Sequence, residues 1–358
     1  MRNLLRYRKI SSFLLCSNHM LVLGIESTCD ETGVAIVENG KHILSNVIAS
    51  SADVHQRYGG VFPELACRRH IDALLPALDE AFKKAGVKTS DIDVIAVAQG
   101  PGLIGALLIG MNAAKGLAIA WDKPLIGVNH VEAHLYAALM GPNEPVFPAL
   151  GIVLSGGHTL LLNMLDIGKY QPIATTVDDA IGEAFDKVAT LLSLPYPGGP
   201  HIERLAKEGN AEQFAFKAGF VKKSPIDFSF SGLKTSVLYA IKGQNGSKEK
   251  LSNLTPSAKA DIAASFQETA LRDVLTKAKK AVLELSSQSI VLGGGVCSNQ
   301  RLRDLFTQEF PHIPLFWPPK ELSLDNAAMI AGLGFHKFLR QEKGDPLDLE
   351  ALTRIPIA

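Results

Sequence analysis

The chain has 358 residues, with 36 Lys+Arg against 36 Asp+Glu and 47% hydrophobic positions. That balance excludes a disordered chain, a collagen-like one and a polybasic tail, and the length suggests two domains or one large α/β domain. Cys16, Cys29, Cys67 and Cys297 are scattered with no C-x-x-C pair, which fits neither a secreted disulfide framework nor a zinc ribbon and points to a reducing compartment. A nucleic-acid partner would have to be held by a local basic patch or with help from another subunit, since the whole-chain field is nil.

Residues 1–19 differ in kind. They carry Arg2, Arg6, Arg8 and Lys9, no acidic residue occurs before Glu26, and a second methionine stands at Met20. They read as a short organellar presequence, a loose tail or an upstream start, and lie outside the expected fold. From Met20 the pattern predicts strands over 21–26, 33–37 and 42–49, with an Asn39-Gly40 hairpin turn. A helix follows whose stripe is Ile71, Leu74, Leu75, Leu78 and Phe82, ending near Gly86. The uncharged run 94–114 is long enough to imitate a membrane span. Gly100-Pro101-Gly102 breaks it into a buried strand over 94–98, a turn and a small-residue helix over 103–120, as in the core of a soluble protein. A strand over 125–128 and a helix from about His130 complete the first half.

The pattern then restarts. A strand over 149–154 runs into Ser155-Gly156-Gly157, and strands follow over 159–164 and 173–177, which predicts a duplicated fold of two similar domains facing each other across a cleft. Further on come a helix over 182–192, an irregular stretch at 196–200, a polar insertion over about 207–253, and a long helix capped by Thr255-Pro256 with Ile262, Phe266, Ala270 and Val274 inward. A strand over 289–292 feeds Gly293-Gly294-Gly295. Helices start near Asn299 and near Asp325-Asn326.

Glycine-rich turns after strands allow backbone N–H groups to approach a phosphate, and close strand–helix packing explains any single one equally well. Neither G-x-x-x-x-G-K-[ST] nor G-x-G-x-x-G is present, so P-loop and Rossmann routes to a nucleotide are not supported. His130 and His134 stand one helical turn apart, the spacing at which two imidazoles bind one metal ion or simply share a solvated face. In the zincin pattern a glutamate follows the first histidine directly. Here Val131 holds that place and Glu132 lies roughly 200° around the helix from His130, so a metalloprotease lacks its general base. Asp325, before Asn326 at a helix start, is the best carboxylate candidate for a third ligand.

Together these residues resemble a family. Over 20–339 the chain is similar to the universal tRNA threonylcarbamoyl transferase subunit, a member of the actin-like ATPase (ASKHA, ribonuclease H-like) superfold. The resemblance rests on Gly24-Ile25-Glu26-Ser27-Thr28-Cys29-Asp30-Glu31-Thr32, Tyr58-Gly59-Gly60-Val61 with Pro63-Glu64, Gly100-Pro101-Gly102-Leu103 and the H-x-E-A-H at 130–134. It continues through Leu154-Ser155-Gly156-Gly157-His158-Thr159, Gly182-Glu183-Ala184-Phe185-Asp186-Lys187, 228–235, Gly294-Gly295-Val296 with Asn299, and Asp325-Asn326. Departures are Cys67 where a serine is usual, Gln300 where a basic residue is common, and Ala327 where a glycine is usual.

The resemblance implies a duplicated α/β fold: an N-terminal lobe over 20–147, a C-terminal lobe over 148–342 with its insertion at 207–253, a tail over 343–358, and a central cleft. It implies transfer of threonylcarbamoyl from L-threonylcarbamoyladenylate to N6 of adenosine 37 in tRNAs reading ANN codons, with release of AMP. His130, His134 and Asp325 are then expected to bind one metal, Fe(2+) in this family, with zinc or another divalent ion as the alternative. Val153, Leu154, Ser155, Gly156 and Gly157 are expected along the adenylate, with Asp186 on the ribose, Gly199 against the nucleoside, Asn299 on adenine or ribose, and Glu183 as a second ribose or adenine contact. Against these stand ordinary roles: helix-surface charges for the carboxylates and an N-cap for Asn299. A general base, if one operates, is Asp30 or Glu31.

Arg68, Arg69, Lys222, Lys223 and Lys234 are candidates for phosphate contacts with the tRNA anticodon loop. Implied partners are a smaller paralogous ASKHA-fold subunit and a P-loop ATPase, with no membrane. The motifs read as bacterial and cytoplasmic, or mitochondrial if residues 1–19 are a presequence. A metal-dependent endopeptidase and an ASKHA-type ATP-binding scaffold without its own chemistry are the rival readings.

Overall fold

The computed structural model describes residues 19–51, 62–242 and 254–357. The expected N-terminal extension (apart from His19), Cys16, the Tyr58-Gly59-Gly60-Val61 motif and residues 243–253 of the expected insertion lie outside the described residues. Contacts divide the chain into two units, one made of 1–51, 63–136 and 325–356, the other of 52–62, 137–324 and 357–358.

In the first unit, β1 (Leu21–Glu26), β2 (Glu31–Glu38) and β3 (His42–Ser50) form an antiparallel meander, with β4 (Val94–Gly100) and β5 (Leu125–Asn129) added in parallel, in the order β3-β2-β1-β4-β5. Asn39 and Gly40 both take positive φ (51° and 76°), the conformation a two-residue hairpin needs. β1 pairs on both sides and is almost wholly buried, which explains its continuous apolar run. Helix α1 (Pro63–Ala85) packs on β2 and β3, and α2 (Ile104–Trp121) on β4 and on α1. By length and composition α2 could cross a membrane, yet it is one layer of this unit. α3 (His130–Ala137) follows β5 directly.

The second unit repeats the plan. β6 (Ala149–Leu154), β7 (Thr159–Asp166) and β8 (Lys169–Thr175) meander antiparallel, and β9 (Ser289–Gly293) and β10 (Leu315–Phe316) join in parallel, in the order β10-β9-β6-β7-β8. The correspondence β1–β5 to β6, β7, β8, β9, β10 is the predicted duplication. Its core is built with α4 (Ile181–Leu191), α5 (Gly198–Ala206), α6 (Ser231–Lys242), α7 (Pro256–Leu285) and α8 (Gln300–Glu309). Thr255 caps α7 by accepting the Ala258 N–H at 3.2 Å, and Ile262, Phe266, Ala270 and Val274 are all buried.

Four expectations need correction. Ile71 and Leu75 are 62% and 69% exposed, because the sheet covers only the Ala66, His70, Leu74, Ala77 and Ala81 side of α1. The third strand of the second meander ends at Thr175, leaving Val177 exposed. The stretch at 196–200, expected to be irregular, enters α5 at Gly198, and α6 lies within the polar insertion. Finally, the boundary at 342 is misplaced: α9 (Ala327–Gln341) belongs to the first unit, where it packs on β1, β4, β2 and β5. The segment expected as a tail is tied there too, through Gly127 N to Asp345 Oδ2 (2.9 Å), Leu352 N to Gln99 O (2.9 Å) and Asn129 Nδ2 to Pro356 O (3.3 Å).

α9 lies so close to β1 that a Cβ on Gly24 would stand 2.3 Å from the Ala327 carbonyl oxygen and 2.8 Å from Ala331 N. A Gly24→Val variant is expected to push α9 off the sheet and lose about 1–3 kcal/mol of stability, read as a lower midpoint in chemical denaturation.

Candidate metal and nucleotide sites

The first unit gathers the ends of β1, β5 and the loop before α9. Asn129 closes β5 and opens α3, accepting the Val131 and Glu132 N–H groups on its Oδ1 at 2.9 and 3.3 Å. His130 and His134 therefore project from one side of α3, their ring centroids 4.6 Å apart at 77°. Asn326 caps α9 by accepting the Met329 N–H, which places Asp325 just ahead of the helix. Asp325 Oδ1 lies 3.5 Å from His130 Nε2 and 3.2 Å from His134 Nε2. One ligand atom from each of the three residues falls within 4.8 Å of the others. Glu132 is not a member of this group.

Glu26 orients the first histidine. It is fully buried, accepts the Thr28 N–H on Oε1 at 2.6 Å and the His130 Nδ1–H on Oε2 at 2.9 Å. With Nδ1 the donor, Nε2 faces Asp325, the carboxylate–histidine arrangement that tunes metal-binding imidazoles. Burial alone would lower the His130 pKa, but the charges of Glu26 and Asp325 raise it to about 9. His134 is buried and neither of its ring nitrogens has a hydrogen-bond partner among the described residues, the 3.2 Å approach of Asp325 being misaligned for one. His130 Nε2, His134 Nε2 and the Asp325 carboxylate face one point, where a cation would answer the nitrogens that the described residues leave unmatched on His134. The residues present thus fit a divalent metal with two nitrogen ligands, one oxygen ligand and open positions.

Asp30 and Glu31 adjoin this group. The Asp30 carbonyl accepts from Ser51 N and Oγ at 3.2 and 2.5 Å, and Glu31, opening β2, accepts from Ser50 Oγ on Oε1 at 2.7 Å. Glu31 Oε2 is buried with no partner among the described residues. Burial first, then the charges of Asp30 and Asp325, push the Glu31 carboxyl up to about 7 despite the Ser50 hydrogen bond. Burial and the same neighbouring charges also push the Cys29 thiol up.

Two residues of this unit escaped the reading of the sequence. Glu26 had a signal, a carboxylate closing an otherwise apolar strand. His70 had little: buried on α1, its Nε2–H donates to the Cys29 carbonyl (3.1 Å) and its Nδ1 meets Thr32 Oγ1 (2.8 Å), so α1 pins the 27–31 loop.

In the second unit the predicted residues fall around the β6 turn and the starts of α5 and α8. Val153 and Leu154 are buried in β6, and Ser155 closes a tight turn with His158 (N to O 2.9 Å, and His158 N to Ser155 Oγ 3.1 Å). The glycines divide into two kinds. A Cβ on Gly182, Gly198 or Gly294 would meet backbone atoms below 3.0 Å, whereas Gly156, Gly157 and Gly199 face open space. Packing explains the first set and leaves room beside the second.

Asp186 accepts the Gly198 N–H at 2.7 Å. Asn299 is buried, caps α8 by accepting the Leu302 N–H (3.1 Å), and donates its amide to Gln267 Oε1 (2.8 Å). Glu183 pairs with Lys187 at 2.8 Å on the surface of α4. Lys234 pairs with Asp179 at 2.8 Å, which ties up one candidate phosphate contact, while Arg68, Arg69, Lys222 and Lys223 are exposed.

Replacing Glu26 with glutamine is expected to weaken binding of a divalent ion about 10–100-fold, measured by equilibrium metal titration of the folded protein. Glu31 has a folded pKa above its ordinary value of 4.5, so its contribution to stability is full below pH 4.5 and lost as the pH rises through about 7. Glu31→Gln is therefore expected to be more stable than wild type at pH 8, by about 1–2 kcal/mol after solvent screening. The gap in unfolding midpoint should close by about pH 4.

The family model described as tRNA N6-adenosine threonylcarbamoyltransferase matches residues 42–332. A protein of that name from Protochlamydia amoebophila is 58% identical over 339 residues, covering 94% of this chain and 98% of its own. One from Anaeromyxobacter dehalogenans is 49% identical over 333 residues, covering 92% and 97%. Among solved structures, HypF from T. kodakarensis matches with a TM-score of 0.60 at 16% identity over 90% of this chain, which spans 48% of that protein. That likeness shows the shared actin-like fold alone. Identity at this level over nearly full length on both sides decides the question, and the chain belongs to the tRNA N6-adenosine threonylcarbamoyltransferase family.

Proposed function

We propose that this transferase places L-threonylcarbamoyl on N6 of adenosine 37 of tRNA from its adenylate, with a divalent ion, Fe(2+) by resemblance to the family, held by His130, His134 and Asp325. The observation that carries the metal is the buried His134, whose ring nitrogens lack hydrogen-bond partners among the described residues where ligand atoms of His130 and Asp325 also converge. Such an ion supplies Lewis-acid polarisation of an oxygen of the acyl-adenylate. Backbone amides at Ser155-Gly156-Gly157 are assigned to the phosphate, Asp186 to the ribose hydroxyls, and Gly199 to close backbone approach. Asn299, with its carbonyl committed to a helix cap and its amide shared with Gln267, acts at the adenine or ribose through its remaining N–H. Glu183 is the weaker second contact, being held by Lys187.

The acyl phosphate anhydride is already activated, so the chain's task is to align N6 and stabilise charge as the carbonyl carbon passes from phosphate oxygen to nitrogen. N6 forms the new C–N bond, the C–O bond to phosphate breaks, AMP departs, and the proton leaves N6. Glu31, raised to about 7, is the better-placed acceptor for that proton, with Asp30 its alternative.

The partner subunits are inferred from the family resemblance, and the first unit carries exposed aliphatic side chains on two of its helices. Ile71 and Leu75 on α1 and Ile104 and Leu108 on α2 are exposed on two helices that pack together, a surface suited to a helical partner. The smaller paralogous ASKHA-fold subunit is assigned to it, and a P-loop ATPase joins on the resemblance alone. The bacterial relatives favour a cytoplasmic setting.

Single-turnover transfer of labelled threonylcarbamoyl from its adenylate to unmodified tRNA, with partner proteins supplied, tests the reading. Wild type should label adenosine 37, and His130→Ala/His134→Ala should lose at least 100-fold of the rate. No transfer by folded, metal-loaded wild type would overturn it.

A further inference from the structure

A charge-neutral chain that acts on tRNA must find its phosphate contacts locally, and one loop of the second unit stands apart. Between Glu212 and Asp227 there is no acidic residue, while Lys217, Lys222 and Lys223 are present. All three lysines are exposed, and none takes part in an ion pair among the described residues. Lys187 and Lys234, by contrast, both pair with Asp179. Asp227, at the end of the loop, turns its carboxylate to the Thr175 N–H at 2.9 Å.

Three phenylalanines precede or sit within this stretch and are treated differently. Phe214 and Phe216 stack on each other at 5.6 Å and pack against the core, but Phe220 is 72% exposed. Its base is nevertheless fixed. Gly219 N–H donates to Ser229 O, and a Cβ on Gly219 would stand 2.5 Å from Ser229 Oγ. Ser229 Oγ and Phe230 N in turn donate to Asp178 at 2.6 and 2.8 Å. On the other side Ser224 N and Asp227 N close successive turns onto Val221 O and Ser224 O. An aromatic ring held clear of the core by a tied loop, with three free ammonium groups within three residues of it, has the composition of a single-strand nucleic-acid contact: a π-face for one base and cations for the flanking phosphates.

We propose that the loop 217–223 binds the single-stranded part of the tRNA substrate, with Phe220 stacking on an unpaired base and Lys217, Lys222 and Lys223 on the neighbouring phosphates. This rests on the transferase reading for the identity of the RNA and extends it to how that RNA is held. Pre-placement of the ring by its tied base reduces the ordering that stacking must overcome. An anionic membrane offers charge without a stacking partner, and a lone ring on a short turn buries little apolar area in it.

The test is fluorescence-anisotropy binding of the full chain to unmodified tRNA and to a single-stranded RNA oligomer across a salt series, with phosphatidylserine vesicles in a parallel arm. Phe220→Ala should weaken RNA binding about 5- to 100-fold. Lys217→Gln/Lys222→Gln/Lys223→Gln should weaken it and lower the slope of log affinity against log salt by about 2. Phe220→Trp should retain affinity, with its emission quenched by RNA, a response that a merely structural ring would not give. Unchanged RNA affinity in both Phe220→Ala and the lysine variant overturns the inference, as does loss of vesicle binding alone or failure of wild type to bind RNA. Single-turnover transfer by wild type is run alongside, so that loss of the loop contact and loss of the transferase reading are separate results.

Discussion

A carboxylate shut away from water at the end of the central strand sets the terms for its surroundings. Burying an unpaired charge is costly, so β1 can end in Glu26 only if something answers both oxygens. The loop answers one by curling the Thr28 amide back, and α3 answers the other by opening with a histidine. Once His130 Nδ1 is committed to Glu26, its Nε2 has nowhere to face but Asp325, and His134 follows one turn later. The charges of Glu26 and Asp325 outweigh burial and raise the His130 pKa to about 9. A metal bound there would have to displace a proton from His130, which would couple ion capture to proton loss. His70 adds a mechanical link, since it grips the same loop from α1, the helix on which Ile71 and Leu75 are exposed among charged side chains.

The second unit shows what duplication leaves free to change. The meander and its two parallel additions are retained, but where β1 ends in glutamate, β6 ends in leucine and runs into serine and two glycines. Gly294 and Gly182 are needed because backbone passes within 3 Å of where a side chain would start, and they fix the turn against its neighbours. Gly156, Gly157 and Gly199 have room to spare.

Much of this was legible in the residues themselves. The repeat showed because the same order of apolar runs and Gly/Ser/Thr turns occurs twice, and α7 showed because Thr255-Pro256 announces its start while Ile262, Phe266, Ala270 and Val274 keep one face. The histidine pair with Asp325 was readable from spacing and a helix start. What periodicity cannot convey is how much of an apolar stripe a sheet covers, so Ile71 and Leu75 were read inward and lie outward. Nor does local pattern reveal a return of the chain: the approach of Ala327 to Gly24 is one of the contacts between distant segments that assign α9 to the first unit. Asn299 could be read as a cap or a ligand contact because one side chain has two ends, and here Leu302 takes one and Gln267 the other.

That return has a consequence for the order in which the protein comes into being. Synthesis runs from the N-terminus, and domains fold as their segments emerge. Here β1, β4, β5 and both histidines leave the ribosome before residues 137–324, the bulk of the second unit, while Asp325 and the helix that covers Gly24 come after that segment. Until then the first sheet is bare on that side and the two imidazoles lack their carboxylate. A chain truncated before Asp325 therefore lacks the carboxylate that meets the two imidazoles, and the triad is complete only once the second half has been made.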